Sequence, residues 1–565
     1  SNLIVRGLTY VKSEVNGRDS FTANNGRGLN FADISPELLA GVDVFKTLTA
    51  DRIEGGIAGT INLRTRKAFD TEGPQLLFSA EATYNDFIEK TTPTASILGS
   101  YRWDTKHGEF GVLGSFVYSR IKSRADRFQI SNFADRTLYS NGDVIETEGA
   151  VPVKQVWFPR GAVMGTQEFD RERYGMSASL QWRSNDESME ATAEFLRSDA
   201  REAWTEHTME IATDVVTDQG DSRAVPGTSF TFDSSDIFDS GYITGPAGWR
   251  DDQWSGDPRT PAQGLQSNNI LRDVKQKYVT DDFSVNFRWY VSDDWALDFD
   301  YQHVKSTVDN TDAGIWNSTY QDLKMDLNGT KLPDVSFTPI QPCEGGPNNE
   351  CSSYYTGDHQ DYTDPFNSFY RAAMDHVEES EGTSDAFRID GSRIFEESDW
   401  LDSVQFGYRF ADRDQTARFS TYNWGSLSEI WGNGGPVWLD DPVASNGGQP
   451  MGQQTAFYFD DFFNNKTGNP IGSDGRLFYD GNPASDYDSY ADYAAAIAEE
   501  WGGSWLALAN RPNAIPGTQF LPSEVNPVRE KNHAVYASLN WDKVLENGMG
   551  FRGNFGMRYL SLIHI

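Results

Sequence analysis

The sequence predicts an all-β membrane protein, an up-and-down antiparallel transmembrane β-barrel. Three observations indicate this fold class. Segments with an apolar residue at every second position recur from residue 76 onward, the connections between them alternate between short and long, and no run of about 18 apolar residues offers a membrane-spanning helix. Because barrel strands alternate lipid-facing apolar with lumen-facing polar residues, a barrel is compatible with the mean hydropathy of −0.58.

The candidate strands number about eleven. In 78–84 and 110–118 the apolar positions fall on every second residue, so each segment has one apolar face. Many candidates reach the roughly 9 to 11 residues that a tilted membrane strand requires. The further candidates lie near 94–104, 171–184, 188–204, 276–292, 295–308, 383–396, 401–423, 530–542 and 549–559.

The connections between these strands support the barrel more strongly than the strands themselves. Short ones are 104–108, 185–187, 293–294, 397–399 and 543–548, and long ones are 123–170, 205–275, 309–382 and 424–529. Only the connection near 88–93 is short where a long one is due. An up-and-down barrel gives this alternation because one rim carries short periplasmic turns and the other carries external loops. A soluble sandwich has no reason to place every long loop on one side.

The N-terminal segment carries four motifs. A glycine-rich turn runs into a β-branched strand, Ile-Glu-Gly-Gly-Ile-Ala-Gly-Thr-Ile-Asn-Leu-Arg-Thr from residue 53. It follows Leu-Ile-Val-Arg-Gly-Leu from residue 3, Val-Asn-Gly-Arg from residue 15 and Ile-Ser-Pro-Glu-Leu-Leu-Ala-Gly-Val-Asp-Val-Phe-Lys-Thr from residue 34. In this order they resemble the plug domain of TonB-dependent outer-membrane receptors, in the branch common in Caulobacter-, Xanthomonas- and Alteromonas-like bacteria. The resemblance implies a plugged barrel, with a small α+β plug domain at 1–72 and the barrel at 73–559.

The resemblance also predicts that the chain is a fragment. The plugged barrels of this family have 22 strands, so about eleven strands make half a barrel. Ser1 enters the plug midway, and neither a signal peptide nor an energy-coupling box precedes it, so we expect the N-terminal part to be missing. The last six residues, 560–565, break the strand alternation and read as the translation of a transposon sequencing adapter. We therefore expect them to be a non-native tail and the second half of the barrel to be missing.

Charge and motif content exclude several function classes. The chain has 84 acidic and 48 basic residues, a net charge of −36, which repels a phosphate backbone and disfavours nucleic-acid binding. An acidic surface suits neutral or cationic ligands, or lipopolysaccharide bridged by divalent cations. The seven histidines are scattered and the Asp-rich pieces lack the spacing of a calcium loop. We predict no enzyme, no cofactor and no metal site.

The resemblance implies a latch between the plug and the barrel wall. Arg6 and Lys46 match positions where the family keeps basic residues that face acidic partners, and Glu530 lies at a strand start similar to one that supplies such a partner. The family usually has arginine at the position of Lys46, and lysine lacks the bidentate fork. The alternative for all three is an ordinary solvated charge at a strand end.

Two further sets of plug residues are candidates. The glycines of the turn, Gly55, Gly56 and Gly59, are predicted to serve the backbone rather than a ligand. The plug loops at 10–13 and 19–27 should point outward to the substrate vestibule. The plausible ligand contacts there, unless they are simply solvated, are Arg18, Asn24, Asn25 and Arg27.

The long connections are rich in tryptophan, with Tyr, Asp and Asn around it. Flat aromatic faces stack on sugar rings while carboxylates and amides bond to hydroxyls, so this mixture suits a neutral oligosaccharide. Loop packing is the alternative for any one of them. The five predicted ligand contacts are Trp157, Trp254, Trp316, Trp431 and Trp438. Residues 486–509 predict a short packed helix with Tyr487, Tyr490, Tyr493, Ile497 and Trp501 near one face.

The chain contains two cysteines. Cys343 and Cys351 enclose a polar turn with Gly and Pro, which predicts a disulfide formed in an oxidising envelope compartment. Two free thiols are the alternative.

The resemblance implies energy-coupled uptake of a ligand across the Gram-negative outer membrane. Its implied partners are the TonB energy-transducing complex of the inner membrane, outer-membrane lipid and lipopolysaccharide, and a small-molecule or oligosaccharide ligand, with the protein as a monomer. We favour an oligosaccharide because of the acidic, tryptophan-rich loops. An iron-siderophore receptor is the alternative within the class, and a non-transporting adhesin or sensor barrel is the alternative outside it.

Overall fold

The computed structural model describes residues 4–24, 28–29, 34–146, 148–213, 222–250, 260–327, 333–339, 361–396, 398, 400–428, 436–544 and 549–564. Strands are numbered along the whole chain. A small N-terminal sheet, hereafter the plug, is followed by one large antiparallel sheet, hereafter the wall, whose long connections fold into a separate packed body.

The plug is a four-stranded sheet with the order β2-β1-β4-β3. Its strands are β1 (Val11–Val15), β2 (Arg18–Asp19), β3 (Leu39–Phe45) and β4 (Gly59–Thr65). β1 and β4 pair in parallel, and β3 pairs with β4 in antiparallel orientation. In the described part of the plug the helical turns are short 3-10 helices, Pro36–Leu38 and Ala68–Asp70. Its apolar core includes Val15, Leu38 and Leu63 and packs directly on wall residues Val117 and Leu196.

The wall contains eleven strands, and each pairs in antiparallel orientation with its neighbour along the chain. They are β5 (Gln75–Asn85), β6 (Lys90–Thr105), β7 (Gly108–Ile130), β10 (Gly161–Arg183), β11 (Met189–Ala212), β17 (Leu265–Tyr290), β18 (Trp295–Asp326), β20 (Ser368–Ile394), β21 (Leu401–Arg418), β25 (Val525–Val544) and β26 (Gly550–His564). All eleven predicted strands are confirmed, as is the up-and-down order. β26 continues through residues 560–564, the segment that the sequence predicts to be a non-native tail.

The wall curves around the plug. Contacts from this one small domain reach strands far apart in the sheet, which requires a concave face. These contacts are Leu38 on Gly175 of β10, the Ala23 N–H on Ser306 Oγ of β18, and Glu54 on Arg558 of β26. The prediction of a plugged antiparallel wall is therefore confirmed. Among the pairings of the described strands, none joins β5 to β26.

The outer face of the wall carries an apolar band between two rows of aromatic side chains. Exposed apolar residues fill the alternate positions, for example Phe78, Phe116 and Leu180. Trp182 and Tyr174 on β10 mark the two edges, eight residues apart, which is about 26 Å along a strand. Further members at the edge near the short connections are Trp103, Trp289 and Trp400, and at the other edge Tyr84, Tyr301 and Tyr408. With the tilt of about 35–45° that barrel strands have, this length corresponds to a height of about 20 Å, somewhat less than the apolar band of about 25 Å on outer-membrane barrels.

The long connections pack into a body with its own hydrophobic core. It holds the small strands β8 (Phe133–Tyr139), β9 (Pro152–Pro159), β12 (Arg223–Ala224), β13 (Thr231–Phe232), β14 (Phe238–Thr244), β15 (Pro246–Arg250), β16 (Thr260–Gln263), β19 (Asp334–Thr338), β22 (Asn423–Ser426), β23 (Gln454–Phe457) and β24 (Arg476–Tyr479). Its 3-10 helices are Pro365–Asn367, Ala444–Asn446, Phe462–Asn465, Leu508–Asn510 and Pro522–Glu524.

The predicted helix is confirmed as α1 (Tyr487–Trp501), but it ends at Trp501 rather than at residue 509, because Gly502 caps it in the left-handed conformation. Its residues Tyr490, Tyr493 and Ile497 are buried in the loop core. The Tyr490 hydroxyl donates to the carbonyls of Gly314 and Met374 at 2.8 and 3.0 Å, which fixes the helix to β18 and β20. No helix in the described ranges is both long and apolar enough to span a membrane.

Candidate functional site

Arg18 forms the most deeply buried ion pair between the plug and the wall among the described residues. Its Nε and Nη2 donate to the two carboxylate oxygens of Asp300 on β18, at 2.9 and 2.6 Å. Its Nη1 lies 3.1 Å from Glu194 on β11. The three side chains are between 8 and 16% exposed, so solvent screens these ion pairs weakly. This is a bidentate geometry that lysine could not reproduce.

The turn before Arg18 explains why the side chain reaches the wall. Asn16 and Gly17 both have positive φ, +51° and +77°, in a two-residue hairpin between β1 and β2. Asn-Gly is the favoured pair for such a turn, because both positions require positive φ. The Asn16 amide also donates to Glu194 Oε1 at 2.9 Å and to Thr65 Oγ1 at 2.7 Å, which ties the turn to both β11 and β4.

Glu54 forms a second charged contact between the plug and the wall. One of its oxygens accepts from Arg558 Nη2 of β26 at 2.7 Å, and the other lies 3.7 Å from Arg409 Nη1 of β21. Burial alone would raise the pKa of Glu54, but a backbone hydrogen bond and the guanidinium groups of Arg558 and Arg409 outweigh it and hold the pKa below its usual value. Glu54 is therefore an anion held by two cations.

A cavity of about 790 Å³ lies beside Arg18, between the plug and the wall. Most of its wall residues lie toward the strand ends that the short connections join, such as Arg183, Arg288 and Ser392. Seven basic and eight acidic side chains line it, in a chain whose net charge is −36. Several are paired across neighbouring strands, as Arg288 is with Asp298 at 2.9 Å. The space is polar and nearly balanced in charge.

A second group of side chains, hereafter the upper aromatic cluster, lies on the lumen face toward the long connections. Arg272 donates to Asp312 at 2.8 Å, and its guanidinium lies 5.1 Å from the Trp204 ring and 6.0 Å from the Tyr422 ring. His376 stands 4.3 Å from each of the rings of Tyr422 and Phe419.

The cluster shares the inner face of the wall with the residues that contact the plug. On β18, Asp312 lies an even number of positions beyond Asp300, the partner of Arg18, and beyond Ser306, which contacts Ala23. Alternate residues of a strand point to the same face. Tyr422 is 51% exposed, so the cluster presents an open aromatic surface above the plug.

The structure places the predicted plug-loop contacts in two regions. Arg18 lies in the ion pairs described above, beside the cavity near the short connections. Asn24 lies higher, where its carbonyl accepts from Gln415 Nε2 at 2.8 Å. Asn25 and Arg27 lie outside the described residues. The structure therefore does not gather these four residues into one ligand surface, and a ligand role for each stays a prediction.

The predicted latch residues are not brought together in the described structure. Arg6 is exposed in the tight turn between Val5 and Leu8. Lys46 is exposed just after β3. Glu530 on β25 is nearly buried, with one oxygen 3.9 Å from His564 Nε2. Among the described residues, charged contacts between plug and wall fall instead on Arg18, on Glu54 and on Lys67, which lies 3.4 Å from Glu194. A latch role for the three predicted residues stays a prediction.

The predicted loop tryptophans have different environments. Trp157 on β9 is half exposed, and Trp316 on β18 is partly buried. Trp438 is fully buried, with its ring 5.3 Å from that of Phe369, so it packs inside the loop body. Trp254 and Trp431 lie outside the described residues, as do both cysteines of the predicted disulfide, Cys343 and Cys351.

Sequence reasoning missed both Glu54 and the wall partners of Arg18. The sequence does contain a local signal for Arg18. Asn-Gly directly before an arginine predicts a tight turn that exposes the arginine side chain to the neighbouring wall. Glu194 and Asp300 also stand at polar, inward positions of predicted strands. No local pattern, however, says which inward carboxylate lies opposite the plug.

No protein-family model matches the chain, and no curated protein matches it. Among solved structures it is similar to the siderophore receptor PirA from Pseudomonas aeruginosa, at 7% identity over 98% of this chain and 92% of that chain, with a TM-score of 0.19. It is also similar to the outer membrane transporter YddB from Escherichia coli, at 7% identity over 98% and 90%, with a TM-score of 0.16. The FrpB iron transporter from Neisseria meningitidis gives 8% identity over 98% and 92%, with a TM-score of 0.17. At these values the likeness carries no argument, and the fold assignment rests on the strand pairing of the chain itself.

Proposed function

We propose that this protein takes up a ligand across the outer membrane of a Gram-negative bacterium, as the TonB-dependent receptors that its plug motifs resemble do. One observation carries the proposal: a small domain sits on the concave face of an apolar-banded wall and is held there by a few buried charged contacts. A domain that only blocked the lumen permanently would not need contacts that can be broken. An energy-transducing partner in the inner membrane would supply the force that moves the plug.

The contacts of the plug suit a domain with two states, one bound to the wall and one released from it. Removing one member of a buried ion pair leaves its partner as an uncompensated buried charge, which costs about 3–5 kcal/mol. Withdrawing the whole plug edge instead frees Arg18, Asp300 and Glu194 together for hydration. The plug is therefore stable against small displacements, while a pull that separates the entire contact lets water replace it.

For the ligand we propose an oligosaccharide. The upper aromatic cluster offers the ring faces of Trp204 and Tyr422 for stacking on sugar rings, with hydrogen-bonding groups of Arg272 and Asp312 beside them. The cation of this cluster is already neutralised by Asp312, which favours a neutral ligand over an anionic ferric chelate. A ferric siderophore is the alternative cargo.

Uptake by cells that express the protein tests this proposal. We expect tritium-labelled neutral tetrasaccharides to accumulate in such cells and a proton uncoupler to abolish the accumulation. Uptake of a ferric siderophore without any uptake of saccharide would overturn the proposed cargo. No energy-dependent uptake of either would overturn transport itself.

Replacing Trp204 by alanine tests the role of the cluster. The loss of one stacking face should lower the apparent affinity for the saccharide about tenfold, since aromatic contacts of this kind contribute on the order of 1 kcal/mol or more. The matched control is Trp289→Ala, which removes an exposed tryptophan from the outer face of the wall and should leave uptake affinity unchanged. Equal effects of the two substitutions would contradict the assignment.

A further inference from the structure

Glu14 on β1 is a buried carboxyl group without a hydrogen bond from any described residue. The residue is 1% exposed, and neither Oε1 nor Oε2 has a partner. Burial raises the pKa of Glu14 against the lowering effect of Arg52 and Lys12. The nearest comparison is Asp19 on the adjacent strand, which is paired with Lys12 at 2.7 Å. Glu14 is thus the exception in a region where other carboxylates are paired.

A buried carboxyl group without a hydrogen-bond partner lowers the stability of the folded plug. An unsatisfied buried acceptor costs about 1–3 kcal/mol, and more if it is charged. Glu14 contributes no ion pair to the seating of the plug, unlike Glu54, so stability does not account for it. The residue lines the 790 Å³ cavity between the plug and the wall, where each of its two unpartnered oxygens exposes less than 1 Å².

The rest of the cavity indicates what kind of solute fits. Apart from Glu14, seven basic and seven acidic side chains line it, so their formal charges cancel. A strongly charged solute would have to disrupt existing pairs, such as Arg388 with Asp390 or Arg288 with Asp298. A hydroxyl group, in contrast, donates to a carboxylate and accepts from a guanidinium without displacing either. The volume lies within the 300–1,000 Å³ range of small-molecule sites.

We propose that this cavity is a second binding site, for a neutral hydroxyl-rich solute, and that Glu14 accepts hydrogen bonds from the hydroxyl groups of that solute. The site lies on the far side of the plug strands from the upper aromatic cluster, toward the short connections. The inference rests on the proposed transport function and adds to it a binding site on the side of the plug where the solute leaves. A solute that has passed the plug would be held here before it leaves.

Equilibrium dialysis of the purified protein against tritium-labelled xylotetraose, cellotetraose and maltotetraose tests the site. We expect two bound molecules per chain for the preferred saccharide. Glu14→Leu should reduce this number to one, whereas Trp204→Ala should keep two sites and weaken one of them about tenfold. In Glu14→Leu together with Trp204→Ala we expect one site, about tenfold weaker than the site of Glu14→Leu alone.

Stability distinguishes a binding role from a structural one. Because Glu14 has no partner to lose, Glu14→Leu should keep or raise the melting temperature of the protein. The matched control is Glu109→Gln, a change outside the cavity at a carboxylate that Arg102 satisfies at 2.6 Å, and it should keep both sites.

The outcomes separate this inference from the proposed function. Two sites retained in Glu14→Leu, or a single site in the unchanged protein that Trp204→Ala weakens, would overturn the inner site and leave the transport proposal standing. Binding of none of the three saccharides would overturn the carbohydrate cargo and, with it, the inner site.

Discussion

Replacement of Arg18 by methionine should weaken the seating of the plug by about 3–5 kcal/mol, because Asp300 would remain buried without its cation and Glu194 would keep only Lys67, 3.4 Å away. Hydrogen exchange of the amides in residues 11–19 measures the effect, since these amides are exposed only when the plug opens locally. Their exchange should accelerate by two orders of magnitude or more.

The matched control for Arg18 is Arg120→Met on the outer face of the wall. Arg120 forms the same bidentate geometry with Asp170, but the two side chains are 40 and 32% exposed. Solvent-exposed pairs contribute about 1 kcal/mol or less, so plug exchange should hardly change. Equal exchange rates in the Arg18 and Arg120 variants would contradict the view that buried charge pairs hold the plug.

Gly56→Ala is the second substitution for which we expect a large loss of stability. Gly56 has φ of +68°, and a Cβ built there would lie 2.6 Å from the carbonyl oxygen of Gly59 and 2.8 Å from Lys12 Cβ. The backbone conformation alone costs a non-glycine residue about 1–3 kcal/mol. The overlap with backbone atoms adds about 1–3 kcal/mol, since β1 and β4 must move apart.

Gly73→Ala provides the control for this effect. Gly73 has a similar φ of +73°, but a Cβ there would have no atom within 4 Å, so only the conformational cost applies. The rate of tryptic cleavage within residues 39–65 of the folded protein reports on the integrity of β3 and β4. Gly56→Ala should be cleaved much faster than Gly73→Ala, and equal rates would show that close packing of the glycine turn is unimportant.

The wall could be predicted from the sequence because its signal is local. Period-two alternation located all eleven strands, since each has one apolar outer face and one polar inner face through the membrane-facing band. Most strand ends near the long connections were predicted too short, but β21 was predicted too long, since it ends at Arg418 rather than at residue 423. β18 extends to Asp326 rather than residue 308, because beyond the band both faces are covered and Ile315, for example, is buried in the loop core. The alternation there disappears although the strand continues.

The site could be predicted only in part, because it depends on how distant segments meet. The glycine turn and the Asn-Gly hairpin are recognisable as sequence motifs. The structure shows that both contain residues with positive φ. The partners of Arg18, in contrast, lie 176 and 282 positions away along the chain. Which inward carboxylate faces the plug depends on the register of every intervening strand. The bare carboxyl of Glu14 is likewise invisible in sequence, because a glutamate in a polar strand predicts only a solvated charge.

A disulfide between the plug and the wall tests the central claim, that the plug must leave its seat for transport. A Cβ built on Gly175 of β10 lies 3.3 Å from Leu38 Cγ, one bond from Leu38 Cβ, so Leu38→Cys with Gly175→Cys places two sulfur atoms within bonding reach. In cells expressing this double variant, energy-dependent uptake of labelled tetrasaccharide should fall to background and return when a reductant is added, while each single variant transports throughout. Undiminished uptake by the oxidised, cross-linked protein would contradict the account, because the ligand would then cross the wall with the plug still seated.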